Sequence, residues 1–186
     1  KVTTRHTYDG ENRPTKTTIN SNVNYTYTYD ELGRLKNYYL NLGATKLLIE
    51  PEYYASERNT DNKDTYQTTQ IHLEKIGDRG YAYTYDDVGN IKTINKVVNK
   101  VDSGNLIVSY TYDALGQLKT EINVDLGQKI IYTYDSGGNI TSKSIYAYTN
   151  GTVSALQNTV NYTYDGIWKD KLTNYDGDSI TYDQIG

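Results

Sequence analysis

The residues with most scope for chemistry are seven aspartates that recur in one setting. Asp30, Asp86, Asp113, Asp135 and Asp165 each close the string Tyr-Thr-Tyr-Asp. Asp9 and Asp183 close degenerate copies, His6-Thr7-Tyr8-Asp9 and Ile180-Thr181-Tyr182-Asp183. Carboxylates in pairs do the acid–base and nucleophilic work of glycoside hydrolysis. Here, however, one Asp stands in each copy, always just before a turn signal. An Asp in that position accepts a hydrogen bond from the backbone two residues on. The repeated Asp is therefore read as a turn former and the chain as non-catalytic. His6 replaces a repeat Tyr and His72 lies in a strand-like run, with no triad spacing around either. Asp61-Asn62-Lys63-Asp64 and Asp176-Gly177-Asp178 offer oxygen ligands, but neither has the terminal Glu of a calcium loop. There is no Cys, which removes thiol chemistry and thiolate metal sites. No cofactor is expected.

The elements that carry these residues follow from the pattern around each Asp. The full motif copies are Tyr27, Tyr29, Asp30 and Gly33; Tyr83, Tyr85, Asp86 and Gly89; Tyr110, Tyr112, Asp113 and Gly116; and Tyr132, Tyr134, Asp135 and Gly138. Tyr162, Tyr164 and Asp165 form a fifth copy, with Trp168 where Gly is expected, and Asn12 holds that place after Asp9. Gly186 follows Asp183 at the same spacing. After Gly comes a polar residue (Arg34, Asn90, Gln117, Asn139), then an aliphatic one (Leu35, Ile91, Leu118, Ile140). Period-two alternation puts Tyr on one strand face and Thr on the other. Gly tolerates the positive φ that closes a type I turn. The aliphatic residue opens the return strand. Each copy is thus a strand, a tight turn and a second strand.

Turns are also expected at the opposite strand ends. The signals are Gly77-Asp78-Arg79-Gly80, Asp102-Ser103-Gly104-Asn105, Asp125-Leu126-Gly127-Gln128 and Asn150-Gly151. The aspartates are 21, 56, 27, 22, 30 and 18 residues apart, so the 56-residue gap should hide an irregular repeat, about residues 36–80. Within it Leu35 to Leu42, Thr45 to Tyr54 and Tyr66 to Ile76 read as strands, and Ala55 to Thr65 as a mobile polar loop. Pro51 suggests an edge or a bulge, and Pro51 to Arg58 is the best helix candidate in a chain otherwise without one.

Composition sets the same limits. Ile, Leu and Val make up only 38 of 186 residues, whereas Tyr alone contributes 22 and Phe none. Tyr must supply the missing apolar area, with core packing as the favoured role of the Tyr stripe; sugar stacking and the lining of a polypeptide-holding cavity are the alternatives. Trp168, the single tryptophan, either anchors the last hairpin, the favoured reading, or marks an exposed contact. A net charge of −4 gives no electrostatic footprint for nucleic acid, and no apolar run is long enough for a membrane span. Both ends fall inside repeat motifs, so the chain is read as cut from a longer one.

YTYDELGRL (27–35), YTYDDVGNI (83–91), YTYDALGQL (110–118) and YTYDSGGNI (132–140) resemble the RHS/YD-repeat family, with repeats over nearly all of residues 1–186. The resemblance implies an all-β fold: an antiparallel hairpin meander forming a curved or spiral ribbon, part of a hollow shell. It implies a large bacterial protein, extracellular or cell wall-associated. Its partners would be flanking RHS repeats and an enclosed toxin domain of the same chain, released by cleavage at a core segment absent from these residues. Cell-surface carbohydrate, or another partner bound in adhesion, is the alternative.

Overall fold

In the computed structural model, described for residues 1–58 and 64–183 (side chains of 55–58 and 64–68 excepted), the chain is built from strands alone, with no helix among the described residues. Among the described residues the strands pair antiparallel in chain order, fifteen in a single sheet. No helix among the described residues is long and apolar enough to cross a membrane.

The chain divides into two compact units. Residues 1–84 and 94–105 form the first. It holds β1 (Thr4–Tyr8), β2 (Pro14–Ile19), β3 (Val23–Tyr29), β4 (Leu35–Leu42), β5 (Thr45–Arg58), β6 (Asp64–Ile76) and nearly all of β7 (Arg79–Tyr85). Its buried residues are Ile49, Leu73, Ala82 and Val97, the last three in mutual contact. Residues 85–93 and 106–186 form the second unit. It holds β10 (Leu118–Asn123), β11 (Gln128–Tyr134), β12 (Ile140–Thr149), β13 (Thr152–Tyr164), β14 (Leu172–Tyr175) and β15 (Asp178–Ser179). Val108, Ile130 and Val160 are its buried residues. The strands β8 (Ile91–Val98) and β9 (Val101–Tyr112) contribute to both units.

Tyrosine does not form the core. Among the described residues every buried one is aliphatic, and the tyrosines stay half-buried or exposed. The Tyr face is a partly covered surface. Alternation nonetheless sorts the faces. Tyr27 stands opposite Tyr38, and Tyr162 opposite Tyr175 with rings 5.4 Å apart, edge to face. On the Thr face, hydroxyls meet across strands: Thr7 with Thr15 at 3.0 Å, Thr111 with Thr120 at 2.6 Å and Thr133 with Ser142 at 2.7 Å.

Three expectations fail on strand boundaries. Pro51 to Arg58 is not helical but continues β5. Of the edge or bulge that Pro51 suggests, the irregular register after it fits the bulge, since β5 runs between β4 and β6. Pairing with β4 stops at Tyr38↔Ile49, so the missing N–H falls where that ladder has ended, and register shifts follow at Glu52–Ala55. Of the expected loop, Ala55–Arg58 and Asp64–Thr65 are strand, and residues 59–63 lie outside the described residues. Asp102-Ser103-Gly104-Asn105 is not a turn either: it lies inside β9, and the reversal falls at Asn99-Lys100, with φ of 52° and 66°. The other three turns stand at Gly77-Asp78, at residues 124–127 and at Asn150-Gly151.

The repeated turn and its tyrosine clasp as the candidate functional site

Each turn is built locally around its Asp. In the Asp9, Asp30, Asp86, Asp113 and Asp135 turns, Oδ1 accepts the N–H groups two and four residues on, at 2.8–3.1 Å. The Asp N–H donates to the carbonyl four residues on at 2.9 Å, and the N–H three residues on returns to the Asp carbonyl. The residue at that third place has positive φ: Asn12 61°, Gly33 77°, Gly89 94°, Gly116 77° and Gly138 88°. Asn12 thus takes the Gly conformation, which Asn tolerates better than most residues.

The aliphatic position then opens the return strand, and a one-residue bulge follows it. Tyr29 pairs with Leu35 but Thr28 with Asn37; Tyr112 pairs with Leu118 but Thr111 with Thr120; Tyr134 pairs with Ile140 but Thr133 with Ser142. The Asp9 and Asp165 hairpins carry the same shift. A bulge adds local right-handed twist at the turn end of each hairpin.

A second tie joins successive repeats. The second Tyr of a motif donates its hydroxyl to the carbonyl of the return-strand opener one repeat earlier. Tyr29 donates to Pro14, Tyr112 to Ile91, Tyr134 to Leu118, Tyr164 to Ile140 and Tyr182 to Leu172, at 2.7–3.0 Å. In the irregular stretch Tyr53 of β5 takes this place, donating to Leu35 at 2.8 Å. Burial raises the pKa of Tyr29, Tyr53, Tyr112, Tyr134 and Tyr164, which keeps each phenol a donor.

The residue four after Asp decides what else fills the junction. Arg13 Nε binds Asp9 Oδ2 at 2.8 Å, and its guanidinium lies 4.5 Å from the Tyr29 ring centre. Arg34 Nε binds Asp30 Oδ2 at 2.7 Å and lies 4.2 Å from the Tyr53 ring centre. Asn90 and Asn139 instead close on their own Asp86 and Asp135 at 3.0 and 2.9 Å. Those side-chain hydrogen bonds are the main reason both carboxyls sit below the ordinary range. Gln117 does neither; its Nε2 lies 3.0 Å from where a Cβ on Gly138 would stand.

The remaining motif residues are placed as follows. Tyr83 and Tyr85 lie in β7, Tyr83 donating to Glu74 at 3.3 Å. Tyr110 stands opposite Glu121, and Tyr132 donates to the same carboxylate at 3.3 Å. Burial, then the Glu121 charge, pushes the Tyr132 phenol up to about 12. The Asp165 turn is longer: Oδ1 accepts Ile167 and Trp168 N–H, and the Asp165 N–H reaches Lys171. Trp168 is 66% exposed, so its ring is not a buried anchor; its backbone N–H holds the turn instead. Gly186 and Asp61–Lys63 lie outside the described residues. Asp176-Gly177 makes the β14–β15 turn, and among the described residues no three His, Asp or Glu groups converge as a metal site. His6 Nδ1 is 3.0 Å from Thr17 Oγ1, and the His72 ring centre is 4.5 Å from that of Tyr54.

Sequence reasoning missed the clasp and the bulge. The recurrence of a second Tyr directly before every Asp was the available signal for the clasp.

Hairpins repeated in chain order, each turned on Asp and clasped to the last by Tyr, define a structural β-repeat array. The RHS Repeat family model matches residues 112–152, which contain the Asp113 and Asp135 turns. That stretch of the chain is therefore similar to an RHS repeat. No curated protein matches the chain. A chain of the crystal structure of TcdB2-TccC3-Cdc42 is 20% identical over 89% of this chain and 10% of its own, with a TM-score of 0.50. A chain of the Photorhabdus luminescens Tc holotoxin pore is 18% identical over 87% of this chain and 10% of its own, with a TM-score of 0.47. The first match shows a shared fold. The present chain spans about a tenth of the length of each.

Proposed function

We propose that this segment is a non-catalytic stretch of wall in a large extracellular RHS protein, enclosing a toxin domain carried by the same chain. The observation that supports it most is the use made of the repeated polar residues. Each motif carboxylate binds the backbone of its own turn, and each clasp hydroxyl binds the preceding repeat. Glycoside hydrolysis needs two facing carboxylates, whereas each turn carries a single motif Asp whose Oδ1 is spent on its own backbone. The fold shared with a chain about ten times as long is consistent with a segment of a larger wall.

Protease digestion of the native parent chain tests this reading. The region beyond the repeats should survive until mild unfolding opens the wall. Its immediate digestion beside intact repeats would overturn the enclosure.

One surface favours a second reading, adhesion through carbohydrate. Trp168, Asp170, Lys171 and Tyr182 line a groove of about 260 Å³, with two exposed rings and two polar side chains. Binding on a glycan array that Trp168→Ala abolishes would select this reading; an array without signal would reject it.

A further inference from the structure

Three repeat junctions share the turn and the clasp but differ in the side chain four residues after Asp: Arg13, Arg34 and Gln117. At two of them the chain's own guanidinium is held by the Asp of one turn and the Tyr ring of the next: Asp9–Arg13–Tyr29 and Asp30–Arg34–Tyr53. At the third, Asp113 and Tyr134 stand in the same relation. Asp113 Oδ1 accepts Leu115 and Gln117 N–H at 2.8 and 2.9 Å, as Asp30 Oδ1 accepts Leu32 and Arg34. Tyr134 is clasped to Leu118 at 2.7 Å, as Tyr53 is to Leu35 at 2.8 Å. Gln117, however, supplies no cation, and no side chain among the described residues bonds to Asp113 Oδ2. What remains is a groove of about 240 Å³ lined by Asp113, Gln117, Lys119, Tyr132, Tyr134 and Asp135, together with Thr133.

We propose that this groove binds a guanidinium group, presented on an arginine side chain from outside the described chain. The planar cation would lie on the Tyr134 ring and donate to Asp113 Oδ2, as Arg13 and Arg34 do at their junctions. Asp135 adds a second negative charge, held ionised because Asn139 and turn N–H groups hydrogen-bond it. Lys119 does not exclude the cation: Lys36 occupies the same place after Asp30, where Arg34 sits on its ring. The other junctions of this unit are closed to it, since Asn90 and Asn139 already occupy Oδ2 of Asp86 and Asp135.

NMR titration of the labelled chain with acetyl-Gly-Arg-Gly-amide tests the site. Tyr134 ring and Leu115 amide signals should shift saturably in the millimolar range. Tyr112 and Tyr164 should stay still, and acetyl-Gly-Gln-Gly-amide should do nothing. Asp113→Asn should weaken binding at least threefold, and Gln117→Arg should abolish it by filling the groove from within. Free arginine binding as tightly as the peptide would identify the amino acid as the source of the guanidinium; weaker binding would identify a polypeptide. Shifts that fail to saturate, that match those of the Gln peptide, or that spread equally to Tyr112 and Tyr164 would overturn the proposal.

Discussion

The Asp30 and Asp113 turns share a frame and differ in what completes it. Both place Gly at φ 77°, open the return strand on Leu, bulge one residue later and receive a Tyr hydroxyl from the following repeat. Within the turn they differ at two places, Glu31 against Ala114 and Arg34 against Gln117, and of these the residue four after Asp is the one that faces the next ring in the Asp30 turn. Arg34 spans from its own carboxylate to the next ring, whereas Gln117 lies against Gly138 and leaves carboxylate and ring uncombined. Asp, Gly and the clasp Tyr therefore set the shape, and the fourth position sets the chemistry of the junction. One frame yields a self-sealed joint or an open one through a single side chain.

The largest effect should come from the frame itself. Gly33→Val and Gly116→Val each force a β-branched residue into positive φ, at a cost of about 1–3 kcal/mol. A Cβ at residue 116 meets nothing within 4 Å, whereas one at residue 33 comes within 3.3 Å of Arg13 Nη1. Denaturant unfolding should therefore show the greater loss at residue 33. Equal losses would mean that the Arg13 contact is without weight, and an unchanged midpoint at residue 116 would remove the turn assignment.

The clasp should rank next. Tyr53→Phe and Tyr134→Phe each leave a carbonyl without its donor and should each cost about 0.5–1.5 kcal/mol. Similar losses at the two junctions are expected, because the hydroxyl bond is common to both. A loss confined to Tyr53 would show that the clasp depends on the arginine above it.

Exchange at the fourth position should be smaller and opposite in sign. Arg34→Gln should lower stability, and Gln117→Arg raise it, each by about 0.5–1 kcal/mol in low salt and less in high salt. Failure of Gln117→Arg to stabilise would mean that the two frames are not equivalent.

The smallest effect lies in the acid limb. Burial alone would raise the Asp30 pKa, but the Arg34 side chain and turn N–H groups outweigh it, leaving the carboxyl below its ordinary 3.8. A folded pKa below the unfolded one means that the unfolded chain binds more protons as pH falls. The contribution is complete above the unfolded value and drains away as pH drops through the folded one. Arg34→Gln removes part of that depression and should make the stability loss below pH 4 shallower in an acid titration followed by circular dichroism.

Legibility in the sequence tracked the reach of each interaction. The Asp-to-Gly turns involve bonds two to four residues long, so Asp30, Gly33 and Leu35 announce them without knowledge of the fold. Asn150-Gly151 announced a turn for the same reason. The clasp joins residues 10 to 24 apart, and only pairing in space reveals its acceptor. Asp102 to Asn105 misled because the local chemistry is real: Asp102 Oδ1 accepts the Gly104 N–H at 2.8 Å, and Gly104 has φ 71°. Ladder pairing absorbs that kink within β9 and sends the reversal to Asn99-Lys100. Pro51 misled only as a helix start: it announces the irregular register that follows it, and a ladder ending two residues earlier makes its missing donor harmless. Trp168 stands where the other turns carry Gly or Asn, and the longer Asp165 turn leaves its ring exposed.

The clasp also has a direction. Each of the six clasp hydroxyls described above reaches backward along the chain, so a repeat is finished only when its successor arrives. On a ribosome, which delivers the N-terminal repeat first, each newly emerged hairpin finds its template already laid and seals it, like a zip drawn in one direction. The same rule makes copy number adjustable: a duplicated hairpin brings both a hydroxyl for the repeat behind it and a carbonyl for the one ahead, so arrays of this kind can lengthen by whole units without redesign of their joints.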